Sequence, residues 1–578
     1  MAKLTSRIDT DTPSGKSRDE RDLLEYSKSL WLEGRESREG FRKHSDIVLD
    51  RKTYRGKLRP KGHVEADRIF SLNIVQAFID RMVAQLTDNR PIIRIESVNP
   101  SLAGMSDVLE KYIRSVIWEE SRAQRQLFRI AHTAAIEGAA GACVSYSNVS
   151  GTIQVEMLHQ EQISLHRGVV EAAMIDDAEY ICIRRDVPLA WLRQRFPHRG
   201  SAVKADVTAD KTSSNTEVES PHESFFGGGK KSSDTIEMAA FYDLSIIDRE
   251  TRVRGDLAFP QRRRILFTQD VLLDDGPNPY GDGLAPVDVF DWGVDPEHPW
   301  GMSAAEMMRL AQVAFNDIMD GNIQNQITLN MMNLIQDQNA LDTKSLTRMR
   351  KLKGINILSK RRNSTVSLQS PPSFGQDKIA LAREIFSYLQ AIMGVSGLTL
   401  EGGTGSLQSG QALEGLQEGG NLMTRARASR LEDFMARIGQ KITARIIQFV
   451  PPEKVNEFLG ETEETAAYAT GRTTFFVGGG KPLTLQEKAT KFRLLRFAIE
   501  PGSSAPGSKQ ARAQSMLGLH LLPQPLVSGK AVLEAAEIRN PEKMIQEARG
   551  EMPIPDPEGK GVSPGLLQQT PPIFAGKG

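Results

Sequence analysis

"EIFSYLQAIMGVSGLTLEGGTGSLQSGQALEGLQEGG" occupies residues 384–420, and its reading decides how the rest of the chain is organised. Its left part belongs to an amphipathic helix over 376–393, with Ala382, Ile385, Phe386, Leu389, Ile392 and Met393 on one face. Its right part opens a second helix, 411–449, in which Leu413, Leu416, Met423, Leu431, Phe434, Met435, Ile438, Ile442 and Ile446 recur at threes and fours. At 1.5 Å per residue that helix is roughly 58 Å long. Gly415, Gly419 and Gly420 predict a kink near its start, and Pro451-Pro452 ends it. Between the helices, Gly397–Gln411 holds five glycines and one charge, Glu401.

Upstream, "SAAEMMRLAQVAFNDIMDGNIQNQITLNMM" opens on Ser303 and Glu306, a capping box that starts a helix predicted to reach Leu334. It carries Glu306, Asp317 and Asp320 against Arg309, and is loaded with Asn316, Asn322, Gln324, Asn325, Gln326, Asn330 and Asn333. The spacing predicts a helix packed on one face and wet on the other. Residues 343–369 form a small basic module with two short strand candidates; its Lys344, Arg348, Arg350, Lys351, Lys353, Lys360, Arg361 and Arg362 stand beside one acid, Asp342. Such a patch is either a solvated face or a contact for phosphates or an acidic partner.

The N-terminal half reads as α+β. Residues about 21–50 look helical, Ile74, Phe78, Met82 and Leu86 mark another helix, Pro91 breaks it, and "IIRIESV" alternates as a strand. A long helix is predicted over 106–138, short strands over 142–190 and again over 235–292, with turns at 274–283. Residues 201–234 lack apolar periodicity and read as a disordered insertion. Beyond 451, helices are expected near 484–498, 508–518 and 530–548, and the last 28 residues as a disordered Pro/Gly-rich tail.

The 578 residues suggest three or four domains, or an elongated chain stabilised across subunits. Lys+Arg and Asp+Glu both number 73, which argues against a surface that grips nucleic acid throughout. Cys143 and Cys182 sit in apolar runs and read as buried reduced thiols. The N-terminus has no apolar signal segment, and no stretch offers the roughly 20 apolar residues of a membrane span, which reads as an intracellular product.

Enzymatic signatures are wanting. "FFGGGKKSS" and "FFVGGGKPL" tempt as phosphate loops, but Lys230 is followed by Lys231 and Lys481 by Pro482, where Ser or Thr is needed for magnesium. Asp176-Asp177 and Asp274-Asp275 pair carboxylates that point to opposite sides of a strand. The nine histidines make no HExxH, and no GxSxG appears. The expectation is a non-catalytic chain with no metal and no cofactor.

The joint order of these pieces resembles the portal proteins of tailed bacteriophages. The helix–"NRP"–strand, the block "PVDVFDWGVDPEHPWGMSAAEMMRLAQVAFNDIMDGNIQNQ", the short β module, "EIFSYLQAIMGVSGL", "GGTGSLQSG" and the long helix "QALEGLQEGG…RLEDF" carry the resemblance, over roughly 20–550. It implies an elongated α+β multidomain subunit with a wing at 1–300, stem helices at 301–334 and 376–396, a clip at 335–375, a tunnel loop at 397–410, a spine helix at 411–450, a helical crown at 451–550 and a tail at 551–578. It further implies a ring, twelve copies in this family, at one capsid vertex of the virion, assembled in the host cytoplasm. Double-stranded DNA would pass through without sequence specificity, touching Glu401, Gly402, Gly403, Thr404, Gly405, Ser406 and Gln408, with Asp317, Asp320 and Asn325 as channel-facing stem candidates. The basic patch Lys351, Lys353, Lys360, Arg361 and Arg362 would lie on the clip. The implied partners are the terminase motor, head–tail adaptor or tail proteins, and the major capsid protein and scaffold. The alternatives are another virion structural protein, such as a head–tail adaptor or scaffold, and a DNA-packaging enzyme.

Overall fold

The computed structural model describes residues 18–57, 72–87, 93–99, 102–120, 123–148, 150–205, 237–253, 256–329, 333–336, 366–369, 376–393 and 410–478, most of 481–499, and a few positions between 516 and 532. The chain up to Ala505 forms one compact unit, and residues from Pro506 form a second. The predicted insertion 201–234 from its sixth residue on, the helices expected at 508–518 and 530–548 apart from isolated positions, and the C-terminal tail lie outside the described residues.

The helical run expected over about 21–50 is two helices, α1 (Arg18–Phe41) and α2 (His44–Tyr54). They are followed by α3 (Ile74–Thr87), β1 (Ile93–Ser97) and α4 (Ala103–Tyr112). The long helix predicted over 106–138 is divided: a π-helical stretch, Ile113–Glu120, separates α4 from α5 (Ala123–Glu137). Then come β2 (Ala139–Ser147), β3 (Thr152–His159), β4 (Ile163–Leu165), β5 (Tyr180–Pro188), α6 (Leu189–Arg195), β6 (Met238–Ile246), the short β7 (Arg252–Val253) and β8 (Asp256–Leu257), β9 (Arg263–Thr268), β10 (Leu272–Pro277) and β11 (Val287–Asp291). The second half holds α7 (Ala304–Leu329), β12 (Asn333–Gln336), β13 (Val366–Gln369), α8 (Gln376–Met393), α9 (Gly410–Phe449), α10 (Pro452–Leu459), α11 (Glu463–Phe476), β14 (Val477–Gly478), β15 (Lys481–Pro482) and β16 (Leu495–Ile499).

The strands between 139 and 291 make two antiparallel sheets, ordered β10-β9-β6-β5-β4 and β11-β2-β3. Strands β5 and β6 form a hairpin in which Pro188 faces Met238, so everything between them is an excursion from its tip. Helix α1 covers one face of the larger sheet, packing Leu23, Leu30 and Trp31 on Tyr180, Leu244 and Phe267. Helix α6 covers another part of that sheet with Leu189 and Leu192 against Phe241 and Leu266. Strand β2 is rich in Ala and Gly, and a Cβ at Gly141 would collide with Ile163, so the small residues set how closely neighbouring strands approach. Both cysteines are buried and unpaired.

The largest core joins α3, α4, α5, the C-terminal half of α9 and the smaller sheet. The C-terminal half of α9 therefore lies inside the N-terminal α+β body rather than beside it. It runs unbroken through Gly415, Gly419 and Gly420, and Pro451 and Pro452 cap the helix that follows, as proline prefers at a first turn.

Two expectations fail at element ends. The helix predicted to reach Leu334 stops at Leu329, and Asn333 and Leu334 belong to β12, which pairs with β13. Residues 495–499 are a strand, not the end of a helix. Leu495, Phe497 and Ile499 are buried while Arg496 is exposed, a period of two that tertiary partners select over helix propensity. β16 pairs antiparallel with β1, Ile93 facing Ile499, and the Gln440 side chain of α9 bonds its other edge at Phe497 N–H (3.0 Å) and Leu495 C=O (3.0 Å). Gly439, next to it, admits the Phe497 ring, which any Cβ there would strike. The run 274–283 is also partly strand, since β10 extends through Asp274 and Asp275.

Candidate functional site: the helix pair and its anchorage

Helices α7 and α8 pack on each other, and the geometry that places them begins at Ser303. Its hydroxyl accepts the Glu306 N–H at 2.9 Å, satisfying an orphan donor of the first turn of α7. The same Oγ accepts from Arg42 at 2.9 Å and donates to Asp50 at 3.0 Å. Asp50 has no exposed surface and is ion-paired with both Arg42 and Arg309. Arg42 also lies 3.5 Å from Glu306. One buried carboxylate thus ties the α1–α2 junction to the first turns of α7. Gly138, at φ +98°, makes room for it, because a Cβ would collide with the Arg42 guanidinium.

Helix α7 is packed on one face and open on the other, as expected, with Ala304, Ala305 and Met308 buried and Glu306 and Asp317 exposed, but its amides lie on the packed face. Gln312, Asn316, Asp320 and Asn322 are buried, whereas Leu310 is 81% exposed and Met307 37%. The reason is local. The first N–H groups of α3 need acceptors, and Gln312 Oε1 takes those of Ile74 (2.9 Å) and Val75 (3.2 Å). Its amide donates to the Leu72 carbonyl at 2.6 Å, and Asn316 accepts the Leu72 N–H at 3.2 Å. The amides are therefore inward fasteners, at least at these positions, and the apolar Leu310 is left outside.

Helix α8 buries Ala382 and Leu389, and Phe386 meets Phe78 of α3 with ring centroids 5.9 Å apart. Leu381 and Tyr388 remain exposed on it.

The long helix α9 is fixed by a cationic stripe that the sequence reading missed. Arg430, Arg437, Lys441 and Arg445 recur at sevens and fours, so they share a face. Arg430 meets Asp291 at 3.4 Å, and Arg437 meets Asp288 at 2.9 Å. Lys441, fully buried, reaches Asp288 (2.9 Å), Asp176 (3.0 Å) and the Val287 carbonyl (2.9 Å). Arg445 bonds the Val144 carbonyl and lies over the Tyr280 ring, 3.9 Å from its centroid. The signal was the coincidence of this spacing with two carboxylates, Asp288 and Asp291, in an otherwise apolar strand.

A second ionic knot joins α2, α5 and the end of β3. Arg51 donates to Glu137 and Glu161, both at 2.9 Å, His159 contacts Glu137 at 2.9 Å, and His44 contacts Glu161. Burial alone would raise the Glu137 carboxyl, but His159 and Arg51 outweigh it and hold it below its ordinary range. Burial would lower His159, but its bond to Glu137 raises it. The depressed Glu137 stabilises the fold fully above about pH 4.5, and that stabilisation is lost as pH falls through its folded value. The raised His159 stabilises fully below about pH 6.5, and that is lost as pH rises through its folded value. His159→Gln is therefore expected to cost more at pH 5.5 than at pH 8.5 in denaturant titrations. An equal cost at both would show that the imidazole is neutral throughout.

Of the residues singled out from sequence, Asp317 is exposed on α7 and Asp320 is 7% exposed. Asn325 lies in the backbone of α7, with its side chain outside the described residues. Glu401, Gly402, Gly403, Thr404, Gly405, Ser406 and Gln408 lie outside the described residues, as do Lys351, Lys353, Lys360, Arg361 and Arg362. The paired aspartates have structural work: Asp176 holds Lys441 and accepts the Ala285 N–H at 3.0 Å, and Asp275 takes Arg263 through two bonds of 2.7 Å. "FFVGGGKPL" contains the short ladder β14–β15, with Gly478 facing Lys481. Among the described residues no group of three His, Cys, Asp or Glu could hold a metal ion, and no helix is long and apolar enough to cross a membrane.

Comparison with known proteins identifies the family. The family model described as phage P22-like portal protein matches residues 67–572. No curated protein matches the chain at a significant level. The match spans most of the chain, which therefore belongs to the P22-like portal protein family.

Proposed function

We propose that this chain, a phage portal protein by family, assembles into a ring at one capsid vertex and that the ring's bore is the path of double-stranded DNA during packaging and ejection. The observation that carries the reading is the family match over residues 67–572. Portal proteins are structural components of phage capsids, not enzymes, and twelve-membered rings are typical of them. In this reading residues 1–300 are wing, α7 and α8 lie in the stem at 301–334 and 376–396, 335–375 is the clip, 397–410 the tunnel loop, 411–450 the spine helix and 451–550 the crown. The loop residues Glu401 to Gln408 graze DNA, Asp317 faces the channel, and the clip's Lys351, Lys353, Lys360, Arg361 and Arg362 meet the packaging motor or the entering DNA. Head–tail adaptor or tail proteins, capsid protein and scaffold are the remaining partners, and ATP hydrolysis belongs to the motor.

An apolar side chain on the open face of α7 supports assembly. A side chain as apolar as Leu310 at 81% exposure, one turn from exposed Met307, is a surface that a neighbouring copy would cover. Leu310→Asp is expected to leave unfolding of the isolated subunit within about 0.5 kcal/mol of wild type, as for other surface changes. The same substitution should shift the protein from rings to single subunits in negative-stain micrographs and on sizing columns. Wild-type particles should be rings with a central bore. A wild-type preparation without rings would favour an adaptor or scaffold, and intact rings from Leu310→Asp would remove α7 from the subunit contact.

A further inference from the structure

The two antiparallel sheets leave a cleft of 460 Å³ that meets the anchorage of α9 at Tyr280, which also lies under Arg445. That volume lies in the range of sites that receive a side chain or a small ligand, roughly 300–1,000 Å³. Its apolar wall is aromatic. Trp191 of α6 stands edge-on to Phe241 with centroids 5.7 Å apart, and Phe196 stacks on the same ring at 6.3 Å. Trp191 is nevertheless 43% exposed, on the cleft's lining.

The polar side of the cleft is largely self-compensated. Arg264 grips Asp243 through two bonds of 2.9 and 2.6 Å, Arg185 grips Glu156 at 2.7 Å, and Asp274 accepts the Asp275 N–H at 2.9 Å. Three groups are left over. Arg195, one turn beyond Trp191 on α6, has no carboxylate within ion-pair distance among the described residues. Ser245 is 4% exposed with its hydroxyl unbonded, and the Asn278 amide nitrogen is buried without an acceptor. Buried polar groups are almost always satisfied, and atoms this enclosed are the kind that an ordered water bridges.

We propose that this cleft docks a peptide segment of a partner protein in which a bulky apolar side chain stands next to a carboxylate. The apolar side chain lies among Trp191, Phe196 and Phe241, and the carboxylate meets Arg195. Charge selects the partner. Arg185 and Arg264 are already paired, which leaves Arg195 as the unpaired cation among the described residues that line the cleft, so an acidic segment gains there and a basic one does not.

The test is fluorescence polarisation with a fluorescein-labelled, capped Gly-Glu-Phe-Glu-Gly peptide and the full-length protein. The expected result is saturable binding that weakens at least tenfold in Trp191→Ala and, separately, in Arg195→Glu. Replacing the peptide's Phe by Ser, or its Glu residues by Lys, should likewise abolish binding. Both substituted residues are exposed, and unchanged circular dichroism and thermal unfolding will show that the variants fold. No saturable binding up to millimolar peptide, or equal binding by wild type and both variants, overturns the proposal. Binding by single subunits but not by assembled rings also overturns it, because the cleft would then be covered by a neighbouring copy.

Discussion

Asp50→Ala is expected to destabilise the subunit by about 3–5 kcal/mol, the usual cost of removing one partner from a buried ionic cluster. Asp50 is fully buried and receives Arg42, Arg309 and the Ser303 hydroxyl. Without its carboxylate two guanidiniums lose their shared partner, and the countercharges left to Arg42 are Glu306, 3.5 Å away and 42% exposed, with Glu137 and Asp46 at longer range. The loss also frees the start of α7, because Ser303 would keep its capping bond to Glu306 but lose its tie to the α1–α2 junction. Asp50→Asn separates the two contributions. It retains the shape and an acceptor but not the charge, and is expected to recover less than half of the loss. Denaturant titration of the isolated subunit measures both. A cost below about 1 kcal/mol for Asp50→Ala would mean that water reaches the cluster and that it behaves as a surface ion pair. In the ring reading, the same variant should also fail to assemble, since the helix that carries Leu310 would no longer be held at its root.

How much of this was legible beforehand depended on the range of the interaction. Helix α8 was readable to its ends, and α9 to within one residue, because their apolar residues recur at threes and fours and glycine or proline stands at the boundaries. Strand β1 was readable from its alternation. Strand β16 was not. Its five residues alternate too, but they sit where helix formers precede them, and only pairing with β1, some four hundred residues earlier in the chain, decides the matter. The polar face of α7 was misread for a similar reason. Composition cannot tell an amide that faces water from one that caps the first turn of another helix, as Gln312 does for α3. The anchoring clusters were hidden because each unites residues far apart in sequence: Asp50 with Ser303 and Arg309, Lys441 with Asp176 and Asp288. Ser303 was visible as a cap, and nothing near it in sequence announced the carboxylate that holds it.

The joint replacement of Thr404, Ser406 and Gln408 by Arg is expected to stall packaging while leaving rings intact. The proposed tunnel loop has one charge, Glu401, and three of its neighbours in sequence are glycines, Gly402, Gly403 and Gly405. A translocating duplex has to be centred and touched without being held. Each phosphate neutralised by a cation adds affinity that falls with salt, and for a moving rod affinity is friction. Three new arginines in every copy of a ring, at even about 1 kcal/mol per contact, would sum to a drag that a motor must overcome at every step. The loop lies between α8 and α9, whose packing in the core through Leu389, Leu431, Phe434 and Ile438 the substitutions do not touch, so assembly should survive. Raising salt should restore part of the rate, because counterions compete for the same phosphates. Single changes to Ala at Ser406 or Gln408 should have little effect. Joint replacement of Gly402, Gly403 and Gly405 by Ala should slow packaging without the salt response, since it removes conformational freedom and adds no charge. An in vitro packaging assay at low and high salt distinguishes these outcomes, and full-speed packaging by the triple-Arg ring at low salt would place this loop away from the DNA path.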